Sequence, residues 1–151
     1  MTKGFTSGMR SSNDDTWTTP VNFFEKLDDE FLFSLDAAAL STSTLVPHNW
    51  YGPDHPDLDR RDAFTRNWKL DADGGAIWLN PPYGRTISAW VGKADAESRS
   101  GGVVVCLVPA RTDTNWWHNY CIRHEVRFIR GRLKFSDKGS APFPSAVVVM
   151  K

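Results

Sequence analysis

Two uninterrupted apolar runs constrain this chain more than any other feature: residues 101–110 (GGVVVCLVPA) and 145–150 (SAVVVM). A strand with one wet face alternates polar and apolar residues. These runs do not, so they predict strands buried on both faces of a covered sheet. Residues 76–80 (AIWLN) read as a shorter strand of the same kind, and 31–36 (FLFSLD) as another that ends on a carboxylate, Asp36. Helical patterns lie between them. Val21, Phe24 and Leu27 share a helical face behind Thr19 as N-cap and Pro20 as first residue. Ile87, Trp90, Val91 and Ala94 do the same within 86–99, and Thr112 or Asp113 can cap a helix reaching about Cys121. Residues 37–47 begin as a short helix or turn (AAALS) and lead to a second possible strand at 45–51. Residues 52–73 form an acid-rich loop, and 125–135 (EVRFIRGRLKF) a strand bent or bulged at Gly131. The alternation predicts an α/β fold. The final two strands are joined by about nine residues, too few for a parallel crossover, so they should be antiparallel neighbours.

The 151 residues suit one domain, 17–151, behind a polar tail, 1–16, expected to be mobile. Hydrophobic residues at 40% and charged residues at 24% are globular proportions. No apolar run approaches the ~20 residues of a membrane span, and the first residues lack a signal-peptide core, so a cytoplasmic protein is expected. Cys106 and Cys121 make neither a disulfide framework nor a zinc site, and the four histidines lack ligand spacing; no metal is expected. The zero net charge hides a division. Residues 1–80 hold 13 acids and 7 bases, a balance of −6, and 81–151 hold 5 acids and 11 bases, a balance of +6. Such asymmetry fits a nucleic-acid face, and equally two solvated surfaces of opposite sign.

The chemistry concentrates in Asn80-Pro81-Pro82-Tyr83-Gly84, directly after a predicted strand. Ligands of open α/β sheets bind beyond the carboxyl ends of strands. Each proline disfavours the helical region for the residue before it, and neither has an N–H. The corner is therefore stiff and presents acceptors: the Asn80 side-chain oxygen and the Pro81 carbonyl. With the Tyr83 ring beside them, they suit an exocyclic amino group on a stacked heterocycle, oriented while its nitrogen attacks an electrophile. The same residues also suit an ordinary strand-ending turn.

NPPY after a strand resembles the fourth motif of amino-methyltransferases. The stretches WTTP (17–20), FSLDAAA (33–39), WLNPPYG (78–84), VPARTDTNWWH (108–118), RFIRGRLKF (127–135) and PFPSAVVV (142–149) resemble the phage-type DNA N-6-adenine methyltransferase (Dam) family. That resemblance implies a Rossmann-like fold with a mixed sheet, seven-stranded if complete, and a C-terminal antiparallel hairpin. It implies transfer of a methyl group from S-adenosylmethionine to the N-6 amino group of adenine flipped out of DNA, in a phage- or prophage-encoded or restriction-modification setting. Asn80, Pro81, Pro82 and Tyr83 would be catalytic, with Tyr83 stacking the adenine. Trp17, Thr18, Thr19, Pro20, Asp36, Ala37, Asp54 and Asp62 would hold the donor. Arg85, Arg111, Arg127, Arg130, Arg132 and Lys134 would contact DNA, the last three from one strand face. Trp68 is a core residue or a donor contact, core by preference, and Trp116, Trp117 and Phe143 are further aromatic candidates near the mouth. The sequence departs from the family's glycine turn after Asp36, where three alanines stand. That departure keeps open a non-catalytic DNA-binding decoy; NPPY alone leaves open RNA, protein glutamine and cytosine N-4 substrates.

Overall fold

A computed structural model describes residues 17–135 and 139–151. The expected tail, 1–16, and Lys138 of the basic segment lie outside the described residues. The main sheet has five strands in the order β1-β2-β3-β7-β4. They are β1 (Phe33–Asp36), β2 (Ala76–Leu79), β3 (Val104–Pro109), β4 (Glu125–Phe128) and β7 (Ser145–Met150). The first three pair in parallel, and β7 lies antiparallel between β3 and β4. The antiparallel neighbours expected from the short final loop are thus β4 and β7. A separate two-stranded ribbon, β5 (Lys134–Phe135) and β6 (Gly139–Ser140), occupies part of that loop. The seven strands among the described residues therefore divide into two sheets.

Every residue of β3 and β7 is buried, as their unbroken apolar runs require. Each fully buried Val or Leu contributes about 1.5–3 kcal/mol, so this central pair anchors the core. Helix α1 (Val21–Phe31) buries Phe24 against Phe33 and Trp78, each ring centroid 5.3 Å away. Its N-cap is Pro20 rather than Thr19, whose hydroxyl is used elsewhere. The helix ends at Leu32, a non-glycine residue at φ 58°. Asp28 supports that turn, its carbonyl accepting from the Leu32 N–H and its side chain from the Phe33 N–H.

Helix α2 (Trp68–Ala72) and two single 3-10 turns, Leu58–Arg60 and Ala63–Thr65, order much of the stretch expected to be loop. Trp68 is fully buried, with its indole N–H on the Ala63 carbonyl, so it belongs to the core. The strand expected at 45–51 reduces to one bridge, Asp36 with Trp50. Helix α3 (Ile87–Arg99) connects β2 to β3 as predicted. The helix expected from Thr112 or Asp113 starts at Asn115 and runs on as a π turn, Trp117–Cys121, and the hydroxyl of Thr114 accepts from the Trp117 N–H.

Candidate active site

A cavity of about 260 Å³ opens beyond the carboxyl ends of β1 and β2. Asp36 ends one strand and Asn80 follows the other, so the parallel pairing brings both to the same wall. Trp17, Thr18 and Thr19 close it from the segment before α1, and Ala37, Pro81 and Pro82 also line it.

Asn80 has a fixed orientation. Its amide nitrogen donates to the Trp17 carbonyl at 2.6 Å and to the Thr19 hydroxyl at 2.9 Å. A carbonyl only accepts, so the NH₂ must face Trp17 and the oxygen must face the other way. That oxygen is buried and has no partner. Asp36 repeats the pattern. One carboxylate oxygen accepts from the Leu45 N–H at 3.1 Å and the Thr44 hydroxyl at 3.3 Å, and the other is buried and unpartnered. Burial pushes the Asp36 carboxyl up to about 6, with the hydrogen bonds from Leu45 and Thr44 opposing the shift. Among the described residues, three buried side-chain polar atoms lack a partner, and two of them are these. Buried polar groups are nearly always satisfied; here two residues that line one cavity each keep a buried acceptor without a partner.

The alanine turn after Asp36 has a simple reason. Among the described residues, Leu32 and Asp73 are the only non-glycines with positive φ, so residues 37–39 need no glycine backbone. The chain bends at Ala37 and Ala38, with Ala37 N–H on Trp78 O and Ala39 N–H on Tyr51 O. The tight residue is Gly52 opposite, where a Cβ would lie 1.9 Å from the Ala39 carbonyl oxygen.

The remaining candidates separate. Asp62 lines the cavity, while its side chain caps the turn at Phe64 N–H. Asp54 is exposed, does not line the cavity, and holds Ser41 through the backbone N–H and hydroxyl. Pro20 faces a different cleft. Tyr83 does not present a stacking face. It is buried, its hydroxyl donates to the Leu107 carbonyl at 3.0 Å, and its ring meets Phe143 edge-on at 5.6 Å. Burial, with the Cys106 thiol beside it, pushes that hydroxyl's pKa well up. The physical reason is the turn itself: the two prolines aim the fourth residue of the corner back into the core. Thr44, Leu45, Phe64 and Trp90 carry no signal in the sequence that would assign them to a site. Phe64 and Trp90, with centroids 4.6 Å apart, form an aromatic rim, and nothing short of the tertiary fold joins a 3-10 turn to α3.

The basic candidates separate too. Arg127 is held by Glu30 in a paired contact at 2.9 and 2.7 Å and by Glu125, over the Phe31 ring. Both carboxylates, Glu30 first, raise its pKa. A DNA phosphate would have to displace them, so Arg127 is a structural cation. Arg130, Arg132 and Lys134 do not share a strand face. Strand β4 ends at Phe128, the chain then bends through Gly131 at φ 74°, and only Lys134 of the three is in a strand, β5. Arg85 and Arg111 are exposed; Arg111 lies 6.0 Å over the Phe143 ring. Trp116 and Trp117 are buried together, as core. No group of three or more potential metal ligands occurs among the described residues, and no described helix is long and apolar enough to cross a membrane.

Residues 6–146 match the family model described as DNA N-6-adenine-methyltransferase (Dam). Comparison with curated proteins gave no match.

Proposed function

Since the chain belongs to the DNA N-6-adenine-methyltransferase (Dam) family, whose members are adenine-specific DNA methyltransferases, we propose that its cavity is where the methyl donor and a flipped adenine meet. A base within a duplex cannot reach a walled cavity, so extrusion of the adenine is part of the reading. The donor is S-adenosylmethionine, which supplies an electrophilic methyl carbon when bound. The open Asp36 oxygen suits its positive charge, and the Leu45 N–H and Thr44 hydroxyl keep the carboxylate aimed. Thr18, Thr19, Ala37 and Asp62 supply further wall, and the Phe64–Trp90 rim offers a flat apolar surface for a purine.

Asn80 holds the target. Its open oxygen accepts one hydrogen of the adenine amino group, and the Pro81 carbonyl beside it is the second acceptor. These bonds draw the nitrogen lone pair toward the cavity and favour positive charge developing on that nitrogen. The methylated nitrogen is acidic, and its proton passes to water without a dedicated base. Tyr83 supports the corner from beneath.

The observation that carries this reading is the pair of buried, unpartnered oxygens on one wall. It is tested by Asn80→Ala, followed by N-6-methyladenine formation in DNA and by donor titration calorimetry. The expected result is a loss of roughly 10²–10³ in turnover with donor binding retained. Near wild-type turnover would remove Asn80 from the mechanism.

A further inference from the structure

Lys26, Arg132 and Lys134 form no ion pair or hydrogen bond with any described residue, and all three line one cleft. The cleft has a volume of about 250 Å³, includes Asn22 and Phe23, and has no carboxylate in its lining among the described residues. Lys26 comes from α1 and the other two from the segment after the Gly131 bend. The arrangement is built rather than accidental. Leu133 and Phe135, flanking Lys134, are buried, and the Phe135 ring packs edge-on against Trp17 at 5.1 Å. One short strap therefore serves two sites. Trp17, Thr18 and Thr19 line the Asn80 cavity, and Pro20, Asn22 and Phe23 line the basic cleft.

We propose that this cleft seats the phosphodiester backbone of the DNA strand that carries the target adenine, and that Lys26 is part of the DNA-binding machinery. The inference rests on the reading that Asn80 receives that adenine. Three cations that line one cleft and meet no counter-charge among the described residues match a polyanion, and an exposed single cation–phosphate pair alone is weak in water. Phosphate contacts fix register and orientation rather than sequence. A strand fixed here is held by the same strap whose Trp17 carbonyl and Thr19 hydroxyl orient Asn80.

The test is duplex DNA binding across a salt series for the wild type, Lys26→Gln and the triple variant Lys26→Gln/Arg132→Gln/Lys134→Gln. Each phosphate that is no longer neutralised should reduce the log–log salt slope by about 0.9. The expected change is close to one phosphate for the single variant and two to three for the triple, with a raised KM for DNA and an unchanged donor affinity. A wild-type slope and wild-type DNA affinity in both variants would overturn the proposal. The single variant changes only an exposed side chain, so its result stands even where the triple variant folds poorly. Asn80→Ala separates the two readings: it should keep the wild-type slope while losing turnover. If it kept its turnover, the active-site reading would fail and the slopes would still decide the cleft.

Discussion

Two buried carboxylates sit at opposite extremes of satisfaction. Asp95, fully buried on α3, is paired on every side: with the cations Arg99 at 3.1 Å and Arg123 at 3.0 Å, and with the His124 ring nitrogen at 2.7 Å. Asp36, almost as buried, meets no cation among the described residues and keeps one oxygen without a partner. Burying a charge is costly unless it is paired. Asp95 is paired within the fold, and it ties α3 to the segment after the π turn. Asp36 lacks its counter-charge, which a cationic ligand can supply. A satisfied buried charge thus holds the structure, whereas an unsatisfied one reports what the structure binds.

The largest effect expected from breaking this contrast is on stability at Asp95. Asp95→Ala should cost about 3–5 kcal/mol, toward the lower end because Arg99 and Arg123 are half exposed or more and can turn to water. Urea unfolding would show it; a decrease of less than about 1 kcal/mol, the scale of an exposed ion pair, would make the cluster ornamental.

Asp36→Asn should act in the other direction. The Asp36 pKa is raised in the folded state from 3.8 to about 6, so the folded chain holds the proton more tightly than the unfolded one. Its contribution is fully present below about pH 4 and is lost as pH rises through about 6. The loss is about 2–3 kcal/mol by pH 8. Asp36→Asn should be spared that decline, and so should be more stable than the wild type at pH 8 while failing to bind the donor. Unfolding curves at pH 4–8 decide this; a constant difference between the two proteins would contradict it. Donor binding near pH 5.5 should also release a proton, measured by calorimetry in two buffers, with none released at pH 8.

The smallest effect belongs to Tyr83. Tyr83→Phe loses one buried hydrogen bond to Leu107, about 1 kcal/mol, and should retain methyl transfer because its ring still fills the core. A collapse of turnover with stability intact would return the hydroxyl to the chemistry. Tyr83→Ala is a poorer probe. Removing a buried aromatic costs about 3–5 kcal/mol, so its loss of activity would not report stacking.

Much of the architecture was legible because it rests on local rules. The runs at β3 and β7 are apolar throughout and are buried throughout. The corner at Asn80 was legible because two prolines dictate its backbone wherever it sits. The illegible parts depend on distant partners. Arg127 and Lys134 look alike in sequence, yet Arg127 meets Glu30, 97 residues away, and Lys134 meets no acid among the described residues. The even strand face expected for Arg130, Arg132 and Lys134 failed because β4 ends at Phe128 and the chain bends through Gly131, at positive φ, before entering a second sheet.

By itself, the amino-acid order determined that the two apolar runs are buried strands, where an acceptor corner falls, and that Asp36 ends a strand, since side-chain period and proline geometry act within a few residues. Only the tertiary structure decided that Asp36 and Asn80 line one cavity, that each keeps a buried oxygen without a partner, that Tyr83 turns inward, and which cations meet no acid among the described residues. Those outcomes follow from parallel pairing of strands far apart in the chain, and from ion pairs made or missed across the whole fold.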